Sequence, residues 1–447
     1  MTVPGVVHLG LGAFHRAHQA LVFETLQERY GSQWSVYAFS MRNPAVAEQL
    51  AANHHRYHVR VSDGSGTRWK LCTGIGQVAV VAQAPQKLVA AIADAHTRWI
   101  TLTVTEKGYT SDLANLLVQG LHARCKARHA GLTIASCDNL HKNGDHLRAL
   151  CQAASVDQPA LWDWIASSCT FPNSMVDRIV PATTPALVQA CEQATGLADL
   201  AAVSTESFWE WVLEDRLVNP DDAAVLRSAG VQVVADVLPY ELAKLNLLNG
   251  SHSALACLGA LLDIETVDQV IAQPDLSAWV EALMLEDLGP GLTRQDWPAY
   301  AQSLLRRFAN PTLSHSVHQI CKDLSQKIPQ RWQAPILRAR HAARMPVQLA
   351  FAAALAIRYW QGASESGQTY AMEDTQAHDM HWLAKRHAGN VTESVRTLGR
   401  LANLWGSELA QDEQWLETVR DLLQSIQDHG VRQTLSQLKP VGKTLAS

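Results

Sequence analysis

A chain of 447 residues is too long for one ordinary core, so two domains are the starting expectation. Its 47% hydrophobic content is that of a globular protein, and a mild, unclustered formal charge of −5 implies no nucleic-acid or membrane-surface partner. Eight cysteines stand singly, with no CxxC pair, and read as reduced thiols of a cytoplasmic protein that shows no signal-peptide pattern and no 18-residue apolar run.

The first element is the apolar run Val6-Val7-His8-Leu9, which enters the glycine-rich turn Gly10-Leu11-Gly12-Ala13-Phe14-His15 and then a helix over 17–30. This is the strand-turn-helix of a dinucleotide-binding fold. Gly10 permits the tight turn, Gly12 lets backbone approach a pyrophosphate, and Gly10, Gly12 and Phe14 are taken as cofactor residues. His15 holds the place of the usual third glycine, and a GxG alone is equally an ordinary turn. The second strand, 34–40, ends in Ser40-Met41-Arg42 rather than in the acidic residue that grips an adenosine ribose. Arg42 can stack on adenine, meet a 2′-phosphate or lie on a solvated loop, so NAD is expected with NADP left open.

Residues 45–55 read as helix, 57–61 and 69–72 as antiparallel strands, 75–81 as strand and 85–95 as helix. The buried strand 99–104 ends in Thr105 and Glu106, and the strand 132–137 ends in Asp138 and Asn139. In an open α/β sheet ligands bind outside the carboxyl ends of the strands, which makes Thr105 and Glu106 candidates for the cofactor cleft. Asn139 can donate an amide N–H to a substrate oxygen. The proline-bounded stretch 171–181 carries the adjacent pair Asp177-Arg178, for which ion pairing is the structural alternative to binding. Residues 202–206 and 231–236 are expected as late strands.

Beyond about residue 240 strand signals nearly vanish. Helices are expected at 239–262, 264–272, 276–287, 297–308, 313–325, 332–343, 346–361, 391–404, 411–428 and 430–437, with Pro329 among the punctuating residues. The predicted architecture is α/β: a Rossmann-like nucleotide-binding domain over 1–238, then a mostly α-helical domain over 239–447. At its start, Glu241, Lys244, Leu248 and His252 share one helical face at about 100° per residue, with Asn249 at the edge. A lysine facing a buried pocket has its ammonium form disfavoured and becomes a candidate general base. The plain alternative is a core helix whose lysine snorkels to the surface.

Five blocks carry a resemblance to a known family: 10–19 (GLGAFHRAHQ), 103–109 (TVTEKGY), 136–139 (SCDN), 171–178 (FPNSMVDR) and 244–253 (KLNLLNGSHS), with 307–311 (RFANP) a sixth. On these the sequence resembles the mannitol dehydrogenase family, the polyol-specific long-chain dehydrogenases. The resemblance implies a zinc-independent, NAD(P)-dependent enzyme that interconverts a secondary alcohol of an open-chain sugar derivative and its ketone. It implies Lys244 as general acid/base, Asn249 and Asn139 as the amide pair for the developing alkoxide, and His252 as a substrate-orienting partner. Asp177 falls where substrate hydroxyls bind, and Glu241 where a proton relay runs to solvent. No metal is expected, and His378-x-x-His381 reads as surface histidines. Stretches 8–21 and 323–331 are closest to members that interconvert D-fructuronate and D-mannonate. A sugar acid needs a cation, for which Lys327, Arg331 and Arg178 are candidates. D-mannitol/D-fructose chemistry, another polyol, and a non-catalytic NAD/sugar-acid sensor are the alternatives. A monomer or weak homo-oligomer is expected.

Overall fold

The structure, a computed structural model, describes residues 4–64, 66–312, 315–387, 389–401 and 403–438. Contacts along the chain separate two units, Met1–Glu241 and Leu242–Ser447. The division falls inside the helix Leu238–Ala243, just beyond the expected 238/239 boundary.

The first unit is built on a five-stranded sheet of β1 (Val6–Leu9), β2 (Val36–Ser40), β5 (Ile75–Val80), β6 (Trp99–Leu102) and β7 (Thr133–Ser136). Its order is β5-β2-β1-β6-β7, and every pairing is parallel. Strands buried on both faces read as continuous apolar runs. Accordingly Val6 packs with Phe23, Trp34, Val36 and Trp99 on one side, and Val7 and Leu9 pack with Ile100, Leu102 and Ile134 on the other. The strand order reverses at β1, so the carboxyl ends of β1 and β6 form a topological switch point, where ligands of such sheets sit.

Two small sheets complete this unit. β3 (Tyr57–Asp63) pairs antiparallel with β4 (Gly66–Cys72) and parallel with β9 (Val203–Thr205). β10 (Glu210–Glu214) lies between β8 (Ser174–Asp177), antiparallel, and β11 (Gln232–Val234), parallel. The proline-bounded stretch therefore contains a strand, and 210–214, not anticipated as one, is its partner. Each is short and is held by the register of the other. Helices Ser111–Lys126, Asn143–Ala154, Pro159–Ser168, Pro185–Thr195 and Asp221–Ser228 also go beyond the sequence reading.

The second unit is helical. Its core is Ser251–Leu261 against Val347–Tyr359, both buried along almost their whole length. Several expectations need correction here, among them that 276–287 is one α-helix, since Pro274–Ala282 passes into a second π-helix, Leu283–Leu288. The segment 239–262 is not a single α-helix: Leu238–Ala243 passes into a π-helix, Lys244–Gly250, before Ser251–Leu261 resumes the α form. Nor does Pro329 end a helix, because Leu324–His341 runs unbroken through both Pro329 and Pro335. A proline removes one backbone bond, but Leu324, Ile328, Trp332, Ile336 and Ala339 bury a complete apolar face that continues across both prolines. The helix Ala377–Arg386 was not anticipated.

Candidate active site

The glycine-rich turn follows β1 at the switch point. Gly10 has φ +103°, and a Cβ there would lie 2.2 Å from the Thr103 carbonyl oxygen, so only glycine fits. Its own carbonyl accepts from His8 Nε2 (3.1 Å) and from Thr103 Oγ1 (2.8 Å), while His8 Nδ1 accepts from Thr101 Oγ1 (2.8 Å). Those bonds set the His8 tautomer and fasten the turn to β6. Gly12 differs: φ is −88° and a Cβ would meet nothing nearer than 3.8 Å. Neither strain nor packing within the protein requires glycine there. The open space beside it fits close approach of a cofactor pyrophosphate.

Behind the turn, His8 and His15 stack at 3.3 Å between ring centroids, both with no exposure. Burial pulls His8 down to about 3 and pulls His15 well below the ordinary histidine range, the latter further lowered by His8 and Arg16. Neither ring nitrogen of His15 has a hydrogen-bond partner among the described residues. Phe14 is half-buried and stacks on His18. Arg42 is exposed just past β2.

Thr105 and Glu106 lie exposed beyond β6, and Thr105 takes a left-handed φ of +65°. Asp138 holds that loop. Its carboxylate accepts from Val104 N (3.0 Å), Thr105 N (2.8 Å) and Tyr109 Oη (2.9 Å). Burial raises the Asp138 carboxyl, opposed by those three donors. Asn143, fully buried, donates to the Asp138 and Ser174 carbonyls and accepts from Ser174 N, joining the end of β7 to β8. Asn139 is thereby set at the exposed end of β7, next to its anchored neighbour. Asp177 is buried at the end of β8. Arg178 points its guanidinium at backbone, donating to the carbonyls of Ala17 and of Glu206 (2.8 Å from Nη2). Glu241 accepts from His141 Nδ1 (3.0 Å) and Lys142 N (3.1 Å). Its carboxyl is raised by burial and lowered by His141.

In the second unit Lys244, Asn249 and His252 follow one another along the π-turn and the first α-turn after it. The π form changes their relation. At about 100° per residue Asn249 would stand about 140° from Lys244. Where bonds run i→i+5, a residue five positions on lies about one turn away and on the same face. The expected common face of Glu241, Lys244, Leu248 and His252 is corrected accordingly, and Leu248 is buried. The His252 ring stacks on Phe308 (4.5 Å, 15°) and meets His315 edge-on at 5.3 Å. On Leu324–His341, Arg331 Nη1 donates to the Asn249 carbonyl (3.1 Å) and to Ser253 Oγ (2.6 Å), and burial pulls its guanidinium down to about 10. Lys327 donates to the carbonyls of Ile320 and Lys322, and is lowered by burial and then by Arg331.

The model of the mannitol dehydrogenase Rossmann domain matches residues 4–223, and that of the mannitol dehydrogenase C-terminal domain matches 236–427. The chain belongs to the mannitol dehydrogenase family. It is an oxidoreductase. The D-mannonate oxidoreductase of Escherichia coli K12 is 32% identical over 97% of this chain and 95% of its own length. The mannitol 2-dehydrogenase of Phaeosphaeria nodorum is 33% identical over 97% of this chain and 81% of its own. Among solved structures, the ternary complex of Pseudomonas fluorescens mannitol 2-dehydrogenase with NAD and D-mannitol covers 98% of this chain and 94% of its own at TM-score 0.81 and 28% identity. A substrate-free D-sorbitol dehydrogenase reaches TM-score 0.87 at 27% identity, covering 97% of this chain and 95% of its own.

Within the family frame, Asp138, Asn143, His8 and Phe308 are supporting residues that sequence reasoning passed over. Asp138 and Phe308 stood inside quoted motifs, but their contacts are long-range and carry no local signature. Among the described residues, His58, Cys191 and Asp199 place potential metal-ligand atoms within 4.8 Å of one another. Asp199 there already accepts from His58 N, His58 Nδ1 and Ala201 N, which is a structural use. No helix among the described residues is long and apolar enough to cross a membrane.

Proposed function

We propose that this protein interconverts D-fructuronate and D-mannonate with NAD(H). The coarser reading, an NAD-dependent dehydrogenase of polyols or sugar acids, rests on family membership and on a turn at Gly10 and Gly12 that suits a dinucleotide. Bound NAD would supply the hydride acceptor. In oxidation Lys244 takes the hydroxyl proton, Asn249 and Asn139 donate amides to the developing alkoxide, and His252, steadied by Phe308, orients the sugar. Asp177 takes a hydroxyl and Glu241 passes the proton to His141 and solvent.

The observation that carries the sugar-acid choice is Arg331. Its guanidinium is largely out of water, and its hydrogen bonds go to a carbonyl and a hydroxyl, both neutral. A largely buried cation with no ion-pair partner among the described residues is unfavourable until an anion arrives, and Lys327 adds a second cation one turn earlier on the same helix. A substrate carboxylate is the matching group. The two relatives named above divide between mannonate and mannitol chemistry, and D-mannitol/D-fructose is therefore the second reading. Eight free cysteines, seven of them buried, support a reducing, cytoplasmic setting.

The test is nicotinamide absorbance with NADH and NADPH against D-fructuronate, D-fructose and D-tagaturonate. Turnover of fructuronate, with Lys244→Ala losing turnover but keeping cofactor binding, is the expected result. Arg331→Gln should raise KM for fructuronate by about 30-fold or more, the ~2 kcal/mol of a charged hydrogen bond. Turnover of fructose alone would replace this reading with the second one.

A further inference from the structure

The turn that carries Lys244 and Asn249 is wider than an α-helix, and several side-chain donors bond to the carbonyls at its end. At its end the carbonyls of Leu247 and Leu248 share the single amide of Ser251. The Ser251 hydroxyl donates to those same two carbonyls, at 3.3 Å to Leu248. The next two carbonyls each receive a side-chain donor from consecutive residues of Leu324–His341. Arg331 Nη1 reaches Asn249 at 3.1 Å, and Trp332 Nε1 reaches Gly250 at 3.0 Å. Ser251 is 0% and Trp332 1% exposed, so water does not compete for either bond. Gly250 is itself tightly placed, since a Cβ would stand 3.3 Å from Leu288.

We infer that Trp332 and Ser251 are positioning residues of the reaction: they hold the π-turn open and so set the Asn249 amide on the same side as the Lys244 amine. The inference rests on the roles given above to Lys244 and Asn249. A π-turn is uncommon and costs regular hydrogen bonding, so donors that the α form would not need are what select it. Without them the segment relaxes toward about 100° per residue, and Asn249 swings away from Lys244. The residues assigned to the cofactor lie in the first unit and are untouched by these bonds.

Trp332→Phe keeps the ring and removes the donor, and Ser251→Ala removes the hydroxyl. In each variant kcat is expected to fall about tenfold or more, as misplacement of reacting groups does. KM for the sugar should stay within about threefold and NADH affinity, read by fluorescence, within about twofold. The isotope effect on kcat with 4-deuterated NADH should rise as hydride transfer becomes the slow step. Hydrogen exchange of a peptide spanning 244–254 should quicken while other peptides of the unit keep their rates. Folded variants with unchanged kcat, isotope effect and exchange would overturn the inference. If Trp332→Phe does not fold, Ser251→Ala decides by the same readings. If the wild type turns over no sugar tested, the proposed function fails; exchange of the 244–254 peptide still decides whether these side chains hold the turn, and unchanged exchange in both variants overturns it.

Discussion

The stacked pair His8 and His15 makes the first unit acid-sensitive by an amount that follows from their burial. Both are neutral in the folded protein, His8 pulled down to about 3 and His15 held well below the ordinary histidine range. In the unfolded chain each titrates near 6.5. A histidine with a depressed folded pKa leaves stability intact above the unfolded value. It removes stability as pH falls below that value, because only the unfolded state takes the proton. Between pH 7.5 and 5.5 the loss is about 1.4 kcal/mol per histidine and ~2.7 kcal/mol for the pair. His15→Phe removes one titrating ring and two unpartnered nitrogens while keeping a flat ring against His8. Its packing cost is the same at both pH values, so the difference of differences isolates the proton. Urea unfolding of the cofactor-free protein at each pH, read by pulsed hydrogen exchange of peptides carrying β1 and β6, scores the first unit alone. The variant should lose about 1.4 kcal/mol less than the wild type on going to pH 5.5. A difference under about 0.4 kcal/mol would show that His15 takes up its proton without cost in the folded state, and the electrostatic account would be wrong.

Gly10→Ala places a methyl 2.2 Å from the Thr103 carbonyl oxygen at a φ of +103°. It should abolish NADH binding in a fluorescence titration, whereas Gly12→Ala, with 3.8 Å of clearance, should fold normally and weaken cofactor binding only. Asp138→Asn offers an NH2 where two backbone amides and a tyrosine hydroxyl now donate. The freed Thr105 loop should raise KM for NADH by about 30-fold, from ~2 kcal/mol of lost charged hydrogen bonding. Retained KM would show that the loop is held by other contacts.

The parts of the molecule written in local pattern were legible. Val6-Val7-His8-Leu9 followed by Gly10 and Gly12 announced the parallel sheet and its turn, and the apolar periodicity after 240 announced the helical unit. What escaped was set by distant partners. β8 and β10 are short and register against each other, so neither stands out alone. Pro329 reads as a stop because its neighbours in sequence do not show the buried face that carries the helix past it. Asp138 looked like the polar end of a strand, and only the fold brings the amides of Val104 and Thr105 to it. Arg178, a candidate for the sugar carboxylate, directs its donors to the carbonyls of Ala17 and Glu206. The roles of Lys244, Asn249 and His252 were suggested by residue type and family likeness, but their phase was not, because a helical wheel drawn at one fixed angle contains no π-turn.

That turn also bears on how this protein can change over generations. Between Lys244 and Gly250 the count of residues matters as much as their identity, since removing one would let the segment close as an ordinary α-helix. Exchanges of one apolar side chain for another at Leu245 leave the spacing intact, whereas a single-codon deletion anywhere in the seven takes out the residue that widens the turn. Insertions and deletions should be purged from this stretch more severely than point changes, and a deletion scan of 244–250 scored by turnover would display the contrast.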